Sequence, residues 1–122
     1  MFNHIMVPVD LAHLEKLEDA LKVAGDLAGH YGARVSYVGV TGSQPTSVAH
    51  SPEEFGTKLA DFAAAQKSER GIPETAAHAV RTHDPAIDLD RALEKAVKDL
   101  GADLVVMASH IPHLFDLGSP GG

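Results

Sequence analysis

The chain has no cysteine and no tryptophan. The first absence excludes disulfides, thiolate metal sites and a cysteine nucleophile. The second, with only two tyrosines and four phenylalanines, leaves the core to be built from Val, Leu, Ala and Ile. Basic residues are also scarce: 10 Lys and Arg stand against 17 Asp and Glu, for a net charge of −7. Nucleic acid and anionic membrane surfaces need basic patches, so neither is expected as a partner. No apolar run approaches a membrane span, and the start MFNHIMVPVD has no charged leader followed by a long apolar segment. A single soluble, cytoplasmic domain over residues 1–122 is the expectation.

What is present is an alternation of two periods. Ile5 to Val9 form a short apolar run ending in Asp10, a strand buried on both faces, as in parallel sheets. Pro8 lacks an N–H and suits the end of a ladder. Leu14, Leu17, Leu21, Ala24 and Ala28 then recur at helical spacing, with Gly32 as a stop. Val35, Tyr37, Val38 and Val40 give a second strand. A helix between two buried strands is a βαβ unit.

The polar stretch Thr41–His50 leads to Ser51-Pro52-Glu53-Glu54, which combines a cap, a first-turn proline and a capping-box glutamate. Phe55, Leu59, Phe62 and Ala63 supply that helix with a buried face, and Gly71-Ile72-Pro73 ends it. Thr75–Thr82 fits an edge strand. Asp84-Pro85 opens a third helix whose inner face is Leu89, Leu93, Ala96, Val97 and Leu100. Gly101 stops it, and Leu104–Met107 follows as a fourth strand. The order β-α-β-α-β-α-β is that of a doubly wound α/β layer sandwich, a parallel sheet with helices on both faces.

In such sheets ligands bind outside the carboxyl ends of the strands. Asp10 sits at such an end. Its carboxylate can accept a hydrogen bond from a ribose hydroxyl or an adenine amine, or it can cap the helix that follows; the residues alone leave both open. His110, His113 and Asp116 recur at a spacing of three, but Pro112 interrupts them and they read as an exposed polar loop rather than a metal site. Ser109-His110 has no orienting acid, so no hydrolytic triad is formed, and no complete P-loop occurs. The chain reads as no enzyme and as having no catalytic residues.

IMVPVD at the start, VGV closing the second strand, DPA before the third helix and GADLVVMASH near the end together resemble the universal stress protein family. The resemblance implies an adenine-nucleotide α-hydrolase-like fold of five parallel strands, homodimers in most members, and ATP binding in many. Carried onto this sequence, it implies a ligand site of Pro8, Val9, Asp10, Val40, Met107 and Ala108, with Gly118 and Ser119 as the phosphate-binding pair. ATP or AMP would be the ligand.

The sequence departs from the ATP-binding pattern of Gly, two residues, Gly, nine residues, then Gly with Ser or Thr. Ala108 stands at the first glycine and Ile111 at the second, Pro112 follows, and only six residues separate Ile111 from Gly118. Glycine serves there because backbone must approach an anion closely, often at positive φ, which a β-branched residue resists. The stretch from His110 to Asp116 holds no Lys or Arg. Triphosphate binding is thus disfavoured more than binding of a base or nucleoside against Val9, Val40 and Met107. A further helix and strand would need roughly 17 residues by average element lengths, whereas only Pro120, Gly121 and Gly122 follow Ser119. The last helix and strand are therefore expected to be missing and the C-terminus shortened. The expected function is a stress-response regulatory or binding domain with a weakly held adenine nucleotide or nucleoside. The alternative is a nucleotide-free interaction or dimerisation module acting through the exposed sheet edge.

Overall fold

The structure, a computed structural model, describes residues 2–108. Four strands, β1 (His4–Pro8), β2 (Arg34–Thr41), β3 (Glu74–Arg81) and β4 (Leu104–Val105), form one parallel sheet in the order β3-β2-β1-β4. Three α-helices connect them: α1 (Glu18–Tyr31), α2 (Pro52–Arg70) and α3 (Pro85–Leu100). The expected doubly wound α/β architecture is present. The expected absence of a last helix and strand concerns residues 109–122, outside the described residues.

Alternation along the strands assigns the two faces. Ile5 and Val7 of β1, with Val35 and Tyr37 of β2, point into a cluster with Leu21, Ala24 and Ala28 of α1 and Phe55, Leu59 and Ala63 of α2. Met6 and Val38 point the other way, onto Ala96 of α3, with Val80, Leu93 and Val97 around them. Two helices thus cover one face and one helix covers the other.

The caps act where the sequence places them. Ser51 Oγ accepts from Glu54 N at 3.1 Å, and Asp84 Oδ1 accepts from Ile87 N at 3.3 Å. Glu54 reaches back one residue further than a standard capping box, to the N–H of His50 at 2.5 Å, and this backbone donor holds its carboxyl below the usual range. The three helices end at Gly32, Gly71 and Gly101, with φ of 66°, 63° and 68°, the left-handed region that favours glycine.

Three expectations need correction. Leu14 does not lie on the buried face of a helix. Leu11–Leu17 is a 3₁₀ segment with non-helical backbone at His13, which shifts the helical phase and leaves Leu14 exposed. Leu89 is 43% exposed, because it faces the open end of the sheet rather than the core. The fourth strand pairs only at Leu104 and Val105; one further bond, Val106 N to Met6 O at 3.0 Å, ends the pairing midway along β1, and Met107 is beyond it.

Asp103 locks β4 to the start of β1. Its carboxylate accepts from Asn3 N at 2.9 Å and His4 N at 3.2 Å, while its own N–H donates to His4 O at 2.9 Å. The Asn3 donor, first among these effects, lowers its carboxyl below the usual range. The junction fixes the register that delivers Met107 and Ala108 beside Val9 and Asp10.

Candidate functional site

The strand order reverses between β1 and β4: the chain steps outward from β1 to β2 to β3, then returns to the opposite side of β1. A doubly wound sheet opens a crevice at such a switch point, outside the carboxyl ends of the strands. A cleft of about 530 Å³ occupies this position, a volume within the range of small-molecule sites.

Each wall has a local cause. β1 is extended past Pro8 by a bond from Val9 N to Val38 O at 2.8 Å, which buries Val9 and turns Asp10 out to solvent. Asp10 then caps the 3₁₀ segment, accepting from Ala12 N at 3.0 Å. Its second oxygen pairs with His13 Nδ1 at 2.9 Å. Asp10 therefore caps the segment that follows and also lines the cleft. At the end of β2, Val40 and Thr41 form the floor, and Thr41 O accepts from Thr82 N at 2.8 Å.

The loop after β2 closes one side through Thr46, whose Oγ1 accepts from Val48 N and Ala49 N, each at 3.2 Å. That turn presents Ser47 and Val48 to the cleft. The opposite side is the first half of α3, placed by the Asp84 cap, with Pro85, Leu89 and Leu93 turned inward.

The structure brings together six of the residues expected from the sequence: Pro8, Val9, Asp10, Val40, Met107 and Ala108 all line this one cleft. Gly118 and Ser119 lie outside the described residues, as do Ile111 and Pro112 and the set His110, His113 and Asp116. Among the described residues no group of three or more His, Asp and Glu could hold a metal ion.

Sequence reasoning missed Phe55, Leu93, Ser47 and Val48 as cleft residues. The signal was available for Leu93 and Phe55, because both helices start at the carboxyl end of the sheet. It was not available for Ser47 and Val48, whose placement depends on the Thr46 turn.

The lining is chiefly aliphatic, and Asp10 is its only charged residue among the described residues. A neighbouring groove, also of about 530 Å³, shares Leu11, Ala12, Ser47 and Val48 with it and carries Lys58 and Asp61. Lys58 Nζ donates to the carbonyl of Val48. The main cleft therefore offers apolar surface, hydroxyls and one carboxylate acceptor, a donor set that suits a flat heterocycle or a sugar hydroxyl. Among the described residues its lining holds no cationic side chain.

Comparison with known families gives a match to the universal stress protein family over residues 1–120. The chain belongs to that family. A solved structure described as a protein from the universal stress protein family of Burkholderia pseudomallei is 26% identical, with a TM-score of 0.69, over 97% of this chain and 91% of that one. The universal stress protein UspA from Lactobacillus plantarum, 19% identical with a TM-score of 0.51 over 92% of this chain and 82% of that one, shares the fold. Comparison with curated proteins gave no match. Among the described residues of this universal stress protein, no helix is long and apolar enough to cross a membrane.

Proposed function

We propose that this universal stress protein is a non-catalytic, cytoplasmic binding domain whose switch-point cleft holds an adenine nucleotide or nucleoside. The observation that carries the reading is the convergence of Pro8–Asp10, Val40 and Met107–Ala108, from three separate strand ends, on one apolar cleft with a single carboxylate. Asp10 accepts from a ribose hydroxyl or a base amine, and Val9, Val40 and Met107 contact the base. Calorimetry with ATP, AMP and adenosine tests it. Binding of at least one of them, abolished or weakened by filling the cleft with Val40→Trp, supports the reading. No heat with any of the three at millimolar concentration, about −4 kcal/mol, removes it. A non-catalytic role further requires that no phosphate be released from ATP above the uncatalysed rate.

A second reading is favoured by one feature. Val105 of β4 and Met107 beyond it are 37% and 50% exposed. Apolar side chains left open at a sheet edge invite association, and a homodimer would cover them. Light scattering across a hundredfold concentration range decides: a constant monomer mass excludes self-association as the function.

A further inference from the structure

We propose that the tip of the Thr46–Ala49 turn is a gate to the cleft and that Lys58 is its latch, which releases the tip when the ammonium moves from the Val48 carbonyl to the carboxylate of Asp61. This inference rests on the reading of the cleft as a nucleoside or nucleotide site.

Three observations combine. The tip is a partition: Ser47 and Val48 line the main cleft and also the neighbouring groove, and they do so together with Leu11 and Ala12. The two spaces are therefore divided by these two short segments. The loop that carries the tip is also fixed at its ends rather than along its length. Gly42 packs so closely on the start of α3 that a Cβ there would lie 3.1 Å from the Pro85 ring. Ala49 is buried in the larger core cluster, and Thr46 shapes the tip around it, donating from N to Ala49 O at 2.8 Å. Residues 43–47 between these anchors are exposed and lie in neither helix nor strand. Finally, the tip is tied to α2 by one long, exposed side chain, since Lys58 Nζ donates to the Val48 carbonyl.

Lys58 has a second partner within reach. Asp61 lies three residues further along α2, on the same side of the helix, and lines the same groove. Glu54, four residues before Lys58, already accepts from His50 N, so Asp61 is the carboxylate left to it on that side. A four-carbon stem carries the ammonium to either acceptor by rotation. Its hydrogen bond is charge-assisted in both places, and water takes the Val48 carbonyl when the latch leaves. Neither state strands a buried polar group, so the two differ little in free energy, as a gate requires.

The test needs no ligand at first. The chain has no cysteine, so a single Val9→Cys, at a cleft position that is 7% exposed, reports opening by its rate of reaction with a water-soluble disulfide reagent. On that background Lys58→Met keeps the stem, removes the donor and should speed labelling by about fivefold or more. Lys58→Arg should stay within about twofold of the parent, and Asp61→Asn, which removes the competing acceptor, should slow labelling by about twofold or more. The opposite signs separate a gate from a bond that only stabilises the fold. Hydrogen exchange of the Val48, Ala49 and His50 amides should follow the same order, with unchanged protection of β1 and β2 showing that each variant is folded. Titration with adenosine, followed by NMR line shapes, should then show association and dissociation raised together in Lys58→Met, with Kd within about threefold of the parent. Labelling of Lys58→Met at the parent rate, or of Asp61→Asn no more slowly than the parent, overturns the gate and leaves the site reading standing. A loss of adenosine affinity beyond about tenfold makes Lys58 part of the wall and also overturns it. Absence of adenosine binding removes the site reading, while labelling and exchange still decide the latch.

Discussion

The two faces of the sheet are built to different standards. On one, α1 and α2 press Ile5, Val7, Val35, Tyr37 and Leu59 to essentially zero exposure. On the other, α3 is the only helix among the described residues; it covers Met6 and Val38 with Ala96, and Val105 and Met107 of the β4 region are partly open. The difference teaches that the two faces contribute unequally to the core, while the cleft at the strand ends draws its lining from both. The well-covered face fixes the strands. On the thinly covered one, Leu89 turns to the cleft at the strand ends, and Leu93 both lines that cleft and packs against Met6, Val38 and Ala96.

The sharpest way to break this comparison is to truncate a side chain on each face. Leu59→Ala removes a fully buried residue from between α2 and the sheet and is expected to cost about 3–4 kcal/mol, since the tightly packed site cannot collapse around the void. Met6→Ala, 1% exposed on the α3 face, should cost less, about 2 kcal/mol, near the lower end for such substitutions. Urea unfolding at constant m-value measures both. Equal costs would mean that α3 covers its face as firmly as the helix pair covers the other.

The larger face also contains a defect. The Tyr37 ring is fully buried and meets Phe62 edge to face at 5.4 Å, but its hydroxyl has no hydrogen-bond partner. Burial pushes its pKa up to about 12. Leaving a buried hydroxyl unpaired is costly, whereas the ring itself is stabilising. Tyr37→Phe should therefore stabilise the protein by about 1 kcal/mol, read as a rise in the urea midpoint. A loss of stability would show that the hydroxyl finds a partner in solution.

How much of this was legible beforehand differs between the faces for a physical reason. The well-covered face was readable from periodicity, because Ile5, Val7, Leu21 and Leu59 all follow the period of their own element. The caps at Ser51 and Asp84 and the stops at Gly71 and Gly101 were readable because they act within a few residues. Leu14 and Leu89 were misassigned, since their spacing is helical while their surroundings are set by the kink at His13 and by the open strand ends. Six cleft residues were legible through the resemblance to the family, whose motifs IMVPVD, VGV and GADLVVMASH fall at strand ends. The His13 contact to Asp10 and the Thr46 turn depend on side-chain geometry in irregular backbone, which no period encodes.

Between the faces, at the start of β1, His4 lies on the α3 side. It is buried, with Nε2 hydrogen-bonded to Ser36 Oγ at 2.6 Å and Nδ1 unpartnered. Burial and then the Arg34 charge lower its pKa, against the Leu100 carbonyl and the carboxylates of Asp103 and Glu74. A histidine with a lowered folded-state pKa binds its proton less readily when native. Its contribution to stability is fully present above the unfolded value of about 6.5 and is lost as pH falls below it. The urea midpoint should accordingly decline from pH 7 to 5, and His4→Gln should flatten part of that decline. An unchanged slope in the variant would assign the pH dependence to other groups.

The smallest effect concerns the open side itself. Leu104 and Val106 turn toward the large cluster, while Val105 between them turns toward the α3 face and is 37% exposed. If that face is open in the monomer, Val105→Thr should change stability by less than about 0.5 kcal/mol, the usual range for surface positions. Leu104→Ala, one residue away, should cost clearly more, because its side chain packs against the core on the other face. The contrast can be sharpened by protein concentration. A second copy seated on this surface would make the cost of Val105→Thr grow with concentration, because the folded dimer is favoured by mass action. A small and concentration-independent effect would place Val105 in water, and the difference between the two faces would then belong to the single chain.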